Sequence, residues 1–146
     1  MLKISKKADY ALIALKHLAT HSNGGASLSA CDIAEFYGIS ATLMAKVLQR
    51  LAREGLLAAR HGSSGGYTLS RDPGSITALQ AIAAIDGPVS ITSCVTHRGE
   101  CDQAGTCTVR EPLRRVNSSI LDVLGRVTIS QMTEDRAASQ VVELRV

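Results

Sequence analysis

No stretch of the 146-residue sequence approaches the roughly twenty uninterrupted apolar residues that cross a bilayer, and the start Met1-Leu2-Lys3 lacks a signal-peptide pattern. A cytoplasmic protein with no membrane partner is the expectation. There is no phosphate-binding loop and no His-Glu-x-x-His metal motif, so nothing sets out a nucleophile, base and orienting group, and an enzyme is not expected. Closely spaced Cys-x2-Cys pairs, the mark of most structural zinc sites, are missing as well.

Four cysteines are present, and in a reducing compartment they fit metal ligands, redox thiols or packing better than a disulfide framework. Three fall in one polar, glycine-containing segment, Cys94, Cys101 and Cys107, spaced C-x6-C-x5-C. Thiolates on such a loop can converge on one soft metal centre, and the long spacings suit a multi-iron cluster wider than a single ion. Zinc and redox thiols are the competing readings. Cys31 sits among Ala30, Ile33 and Ala34 and reads as a small packing residue.

The net charge of +3 divides unevenly. Residues 1–71 hold nine Lys/Arg against four Asp/Glu, whereas residues 72–146 hold seven against nine. The basic half is the candidate polyanion binder. Its first helix is predicted from Lys6 to Thr20, where Ala8, Leu12, Leu15 and Ala19 recur at steps of three and four. A second helix is expected to start at Ser29, capped with Asp32, and to end near Gly38. Only Gly38-Ile39 separates it from a third that Ser40 can cap and Gly55 stops, with Met44, Val47, Leu48 and Leu51 on its apolar side. This is a helix-turn-helix. The opposite side of the third helix carries Thr42, Lys46, Gln49, Arg50 and Arg53, donors suited to phosphates and base edges, although any solvated helix face looks similar. Leu56–Arg60 and Tyr67–Leu69 read as two short strands around a glycine-rich tip, a wing from which Arg60 or His61 could enter a minor groove.

Farther on, Val109, Leu113, Val116, Ile120, Val123 and Val127 step by four and three in a strict heptad seam, which suits pairing with a second copy or packing within one chain. Thr108 with Glu111 forms a capping-box pattern, and Pro112 as the first helical residue is the other possible start. His17 and His21 read as helix surface and helix end.

The run I-S-A-T-L-M-A-K-V-L-Q-R-L-A-R-E-G-L-L, then H-G-S-S-G-G-Y-T-L-S-R-D-P, then I-T-A-L-Q-A-I-A-A-I-D-G-P and the three spaced cysteines resemble the IscR and NsrR family of iron–sulfur transcription regulators over nearly the whole chain. The resemblance implies a mainly α fold with a small β-hairpin wing, that is, a winged helix-turn-helix plus a long dimerisation helix. The organisation expected is a DNA-binding domain over 1–88, a cysteine-rich cluster-binding loop over 89–108, a dimerisation helix over 109–128 and a C-terminal tail over 129–146. The partners implied are a double-stranded DNA operator and a second copy of the chain. The implied cofactor is an iron–sulfur cluster, two-iron or four-iron with four-iron ahead, on Cys94, Cys101 and Cys107. For DNA, the positions carried over are Ser40, Thr42, Lys46, Gln49, Arg50, Arg60 and His61.

The fourth cluster ligand departs from one branch of that family, whose histidine three residues after the last cysteine is Arg110 here. In the nitric-oxide-sensing branch an aspartate of the opposite subunit's first helix serves, and Asp9 falls at that position. An arginine often found one turn later is Ile13, and the first cysteine spacing is one residue longer than usual. His97, inside the loop, is the alternative ligand. The function implied is sensing of redox, iron or cluster status to control cluster-assembly genes. The alternatives are a nitric-oxide-responsive repressor and a cluster-free thiol redox regulator.

Overall fold

Each of the first four helices begins at a hydroxyl. In the computed structural model, which describes residues 3–22, 25–95 and 101–134, Ser5 caps α1 (Lys6–His21), its Oγ accepting the Ala8 N–H at 3.1 Å. Ser29 caps α2 (Ala30–Tyr37) in a reciprocal box with Asp32, and Ser40 caps α3 (Ala41–Arg53). Thr77 caps α4 (Ala78–Asp86) in a second box with Gln80. Side-chain oxygens thus satisfy N–H groups that a helix start leaves without partners. Hydrogen bonds from Ser29 also hold the Asp32 carboxyl below its ordinary pKa, so the box keeps its charged acceptor into mild acid.

Gly38 ends α2 in the left-handed conformation, φ 64°, which non-glycine residues adopt only with strain. Three residues later α3 starts, giving the tight turn expected from the sequence. The core gathers Ala11, Ala14, Leu15 and Leu18 of α1, Ile33 of α2, and Met44, Val47, Leu48 and Leu51 of α3. Leu12 and Ala19 are only partly buried, so the buried stripe of α1 is rotated toward its alanines.

Strands β1 (Leu57–Arg60) and β2 (Gly66–Leu69) pair antiparallel, with Leu57 opposite Leu69 and Arg60 opposite Gly66. Leu28, just before α2, adds a bridge that the sequence did not reveal. Its N–H donates to the Tyr67 carbonyl at 3.1 Å and its carbonyl accepts from Tyr67 at 2.8 Å. That approach explains Gly66, because a Cβ there would lie 2.5 Å from the Leu28 carbonyl oxygen.

Helix α5 (Arg110–Arg126) starts without a side-chain cap at Val109, so neither predicted start is realised. Pro112 sits in the first turn, where its missing N–H costs no helical bond, and Glu111 instead faces Arg114 at 3.6 Å and Arg115 at 3.8 Å. The expected tail begins with a helix, α6 (Ile129–Glu134), that packs back on α1, and Ile129 is fully buried. Thr77 and Thr128 form a bridge, and Ala78 donates to the Val127 carbonyl at 2.8 Å, fastening the end of α5 to the start of α4. The body packed around α1 therefore includes residues from beyond position 88. The remainder of the tail, 135–146, lies outside the described residues.

Candidate nucleic-acid interface and thiol loop

Along α3, Thr42, Lys46, Gln49 and Arg53 recur at steps of four and three on one exposed stripe, opposite the buried Met44, Leu48 and Leu51. This is the surface expected for groove contacts. Ser40 stands at the helix start, its Oγ accepting the Leu43 N–H at 3.4 Å. Arg50 is placed differently. Its Nε donates to the Ala84 carbonyl of α4 at 2.9 Å and its Nη2 lies 3.4 Å from Glu54, so it leans off the stripe toward α4. Arg60 and His61 are exposed at the wing, and Ser27 Oγ–H donates to the Ser64 carbonyl at 2.8 Å, bracing the hairpin tip.

The Ile-Asp-Gly segment has a structural reason to be there. Asp86, the last residue of α4, accepts the Ser5 hydroxyl at 2.5 Å and the Ser5 N–H at 3.3 Å. The residue that caps α1 is thus also clasped to the end of α4. Sequence reasoning identified the segment but not this pairing, which joins positions 81 residues apart.

Cys94, Cys101 and Cys107 are free thiols, each half-buried. The Cys94 sulfur lies 3.2 Å from the Thr92 hydroxyl. Among the described residues no three His, Cys, Asp or Glu side chains converge on a metal-sized site. The donors nonetheless fit a soft metal centre in kind: three unpaired thiols, neither exposed nor sealed in the core, on the segment leading into α5. His97 lies outside the described residues. Asp9 stands in the first turn of α1, its carboxylate half exposed and 3.9 Å from Lys6. Cys31 is exposed, because α2 turns Ile33 and Ala34 to the core instead, so its reading as a packing residue does not hold.

His17 also departs from expectation. It is only 6% exposed, its Nδ1 lies 3.0 Å from the Tyr37 hydroxyl, and its ring stacks on His21 with centroids 4.1 Å apart. Burial, reinforced by the neighbouring His21, lowers its pKa below the ordinary 6.5. Nothing local in the sequence reveals this, since α2 supplies the Phe36 and Tyr37 that cover it.

One row of the heptad seam at α5 faces outward, while Leu113, Ile120 and Val127 are half-buried. Val109, Val116 and Val123 are 55%, 49% and 61% exposed, an apolar row of a kind that usually marks an interaction surface. The inward side holds Asn117, 6% exposed, whose Oδ1 accepts the Ile91 N–H at 3.1 Å and ties the entry of the thiol loop to α5.

A family model described as "Rrf2: Iron-dependent Transcriptional regulator" matches residues 4–135. The chain belongs to the Rrf2 family. Among Rrf2-like relatives, the HTH-type transcriptional regulator IscR of Vibrio campbellii is 31% identical over 140 residues, covering 96% of this chain and 82% of the relative. CymR, the global cysteine regulator of B. subtilis, superposes with a TM-score of 0.77 at 28% identity, covering 92% of this chain and 98% of that one. T. potens IscR gives 0.73 at 27% identity, with coverages of 97% and 93%. The protein is accordingly an Rrf2-family, IscR-like DNA-binding transcriptional regulator with the winged, mainly helical fold, and its relatives are regulators, not enzymes. No helix among the described residues is long and apolar enough to cross a membrane.

Proposed function

We propose that this Rrf2-family regulator acts in the cytoplasm as a homodimer on a double-stranded operator and reports redox, iron or cluster status, controlling iron–sulfur assembly genes. The observation that carries the reading is the junction of three free thiols with the exposed heptad seam: Cys107 lies three residues before α5 begins. Cys94, Cys101 and Cys107 would hold an iron–sulfur cluster, with Asp9 of the partner subunit as fourth ligand. When bound, the cluster supplies a centre sensitive to oxidation, nitric oxide and iron supply.

The chain's own residues do the rest. Thr42, Lys46 and Gln49 enter the major groove, Ser40 meets phosphate at the start of α3, and Arg60 and His61 reach the backbone or minor groove from the wing. Arg50 supports α3 from its bond to Ala84. Val109, Val116 and Val123 pair the two copies of α5. Asn117 and Asp86 fasten the start of the loop to α5 and to α1, so a change in the loop's arrangement is felt by elements that place α3.

Anaerobic purification with iron and sulfide quantitation and Mössbauer spectroscopy tests this reading. The expected result is a stoichiometric cluster whose spectrum changes in Asp9→Ala and whose removal alters DNA affinity. An iron-free protein of full and unchanging DNA affinity would sink it and favour the thiol redox alternative.

A further inference from the structure

A cavity of about 200 Å³ opens beside the recognition stripe, lined by Lys7 of α1, Lys46, Val47 and Arg50 of α3, and Ile85 of α4. Three of its five lining side chains are cationic. Only Arg50 has an acidic partner, Glu54 at 3.4 Å; among the described residues Lys7 and Lys46 make no ion pair. Its floor is apolar, Val47 being 2% exposed, so the cations stand over low-dielectric ground that strengthens their field.

The position of the cavity narrows what fills it. Lys46 belongs to the exposed stripe with Thr42, Gln49 and Arg53, whereas Arg50 lies one helical step toward α4. The cavity therefore flanks the groove-facing side of α3, where the sugar-phosphate rim of a duplex passes when the helix enters its major groove. From this we infer that Lys7 seats one DNA backbone phosphate at the rim of the groove that Lys46 enters, with the anchored Arg50 forming the inner wall. Lys7 comes from outside the helix-turn-helix and its role was not visible in the sequence. Ser5, clasped by Asp86, starts the helix turn that carries Lys7 and so fixes where this lysine stands. The inference rests on the DNA-binding reading and adds a contact to it.

A phosphate contact carries no base information, so a random-sequence DNA duplex is a sufficient probe. Affinity is measured by fluorescence anisotropy on the full-length protein between about 50 and 200 mM salt. Each phosphate contact contributes about 0.9 to the slope of log affinity against log salt, so Lys7→Ala should lower the slope by about 0.9 per engaged subunit, roughly 2 for a dimer. Lys7→Arg should keep it. Lys16→Ala, the same charge loss elsewhere on α1, should leave the slope close to wild type. Lys7→Ala indistinguishable from Lys16→Ala overturns the phosphate seat while leaving DNA binding intact. A wild-type protein with no salt-dependent duplex binding overturns the DNA-binding reading itself. Matching circular dichroism melts for the variants exclude misfolding, because Lys7 is exposed and alanine favours helix.

Discussion

The winged body and the thiol segment are built by opposite means. In the body the helix starts and loop edges find partners, near in the chain as Ser29 with Asp32 and Thr77 with Gln80, or far as Leu28 with Tyr67. Between Cys94 and α5 the described residues form short turns, such as Ala104 donating to the Cys101 carbonyl at 3.0 Å, and α5 itself starts without a side-chain cap. A region whose hydrogen bonds and apolar contacts are complete specifies itself. One that carries three free thiols and borders an exposed apolar row leaves donors and apolar surface open. The proposed function assigns the first region to reading DNA and the second to sensing.

Substitutions can break this contrast. Leu48 is fully buried between helices, and Leu48→Ala should cost about 2–5 kcal/mol in chemical denaturation, enough to threaten the fold. Gly66→Ala forces a Cβ against the Leu28 carbonyl and should cost about 1–3 kcal/mol, with loss of wing order seen as accelerated hydrogen exchange at Tyr67. Acid should act on the body through His17. Its folded pKa lies below 6.5, so the unfolded chain binds the extra proton first; stability is complete above pH 6.5 and declines as pH falls from there to the folded pKa. The charged or titratable neighbours are His21 and Lys16 on α1 and Tyr37 on α2. Denaturation at pH 7.5 and 5.5 should show that decline, reduced in His17→Gln. Smallest of all, Cys101→Ser should leave the unfolding free energy of the iron-free protein within about 0.5 kcal/mol, since the thiol is half exposed and free, while iron content after reconstitution falls to background. A large stability loss there would make the thiol segment part of the body.

Much of the body was legible because its signals are local. Caps at Ser29 and Ser40, the Gly38 turn and the alternation from Met44 to Leu51 are short-range patterns, and each appears where expected. The heptad in α5 was equally plain, and one of its two rows, Val109, Val116 and Val123, is exposed. What failed were readings that depend on distant partners. One local reading failed too: Thr108 and Glu111 form a good capping pattern, yet the nearby Arg114 and Arg115 attract the carboxylate instead. His17 looked like surface because Phe36 and Tyr37, nearly twenty residues away, are what bury it. Nor was the bond from Arg50 Nε to the Ala84 carbonyl of another helix visible in the sequence. The metal site was legible as a donor set only. Three thiols can be counted along a chain, but whether and how they gather is not a local pattern, and among the described residues they do not converge.

The clasp between Asp86 and Ser5 gives the molecule a pivot. Asp86 closes α4, Cys94 follows eight residues later, and Lys7 lies two residues beyond Ser5. The thiol segment and the start of α1 therefore leave one fixed point by two short arms. Under the proposed function, changing the eight-residue step from Asp86 to Cys94 should change how strongly the state of a cluster on the thiols alters DNA affinity.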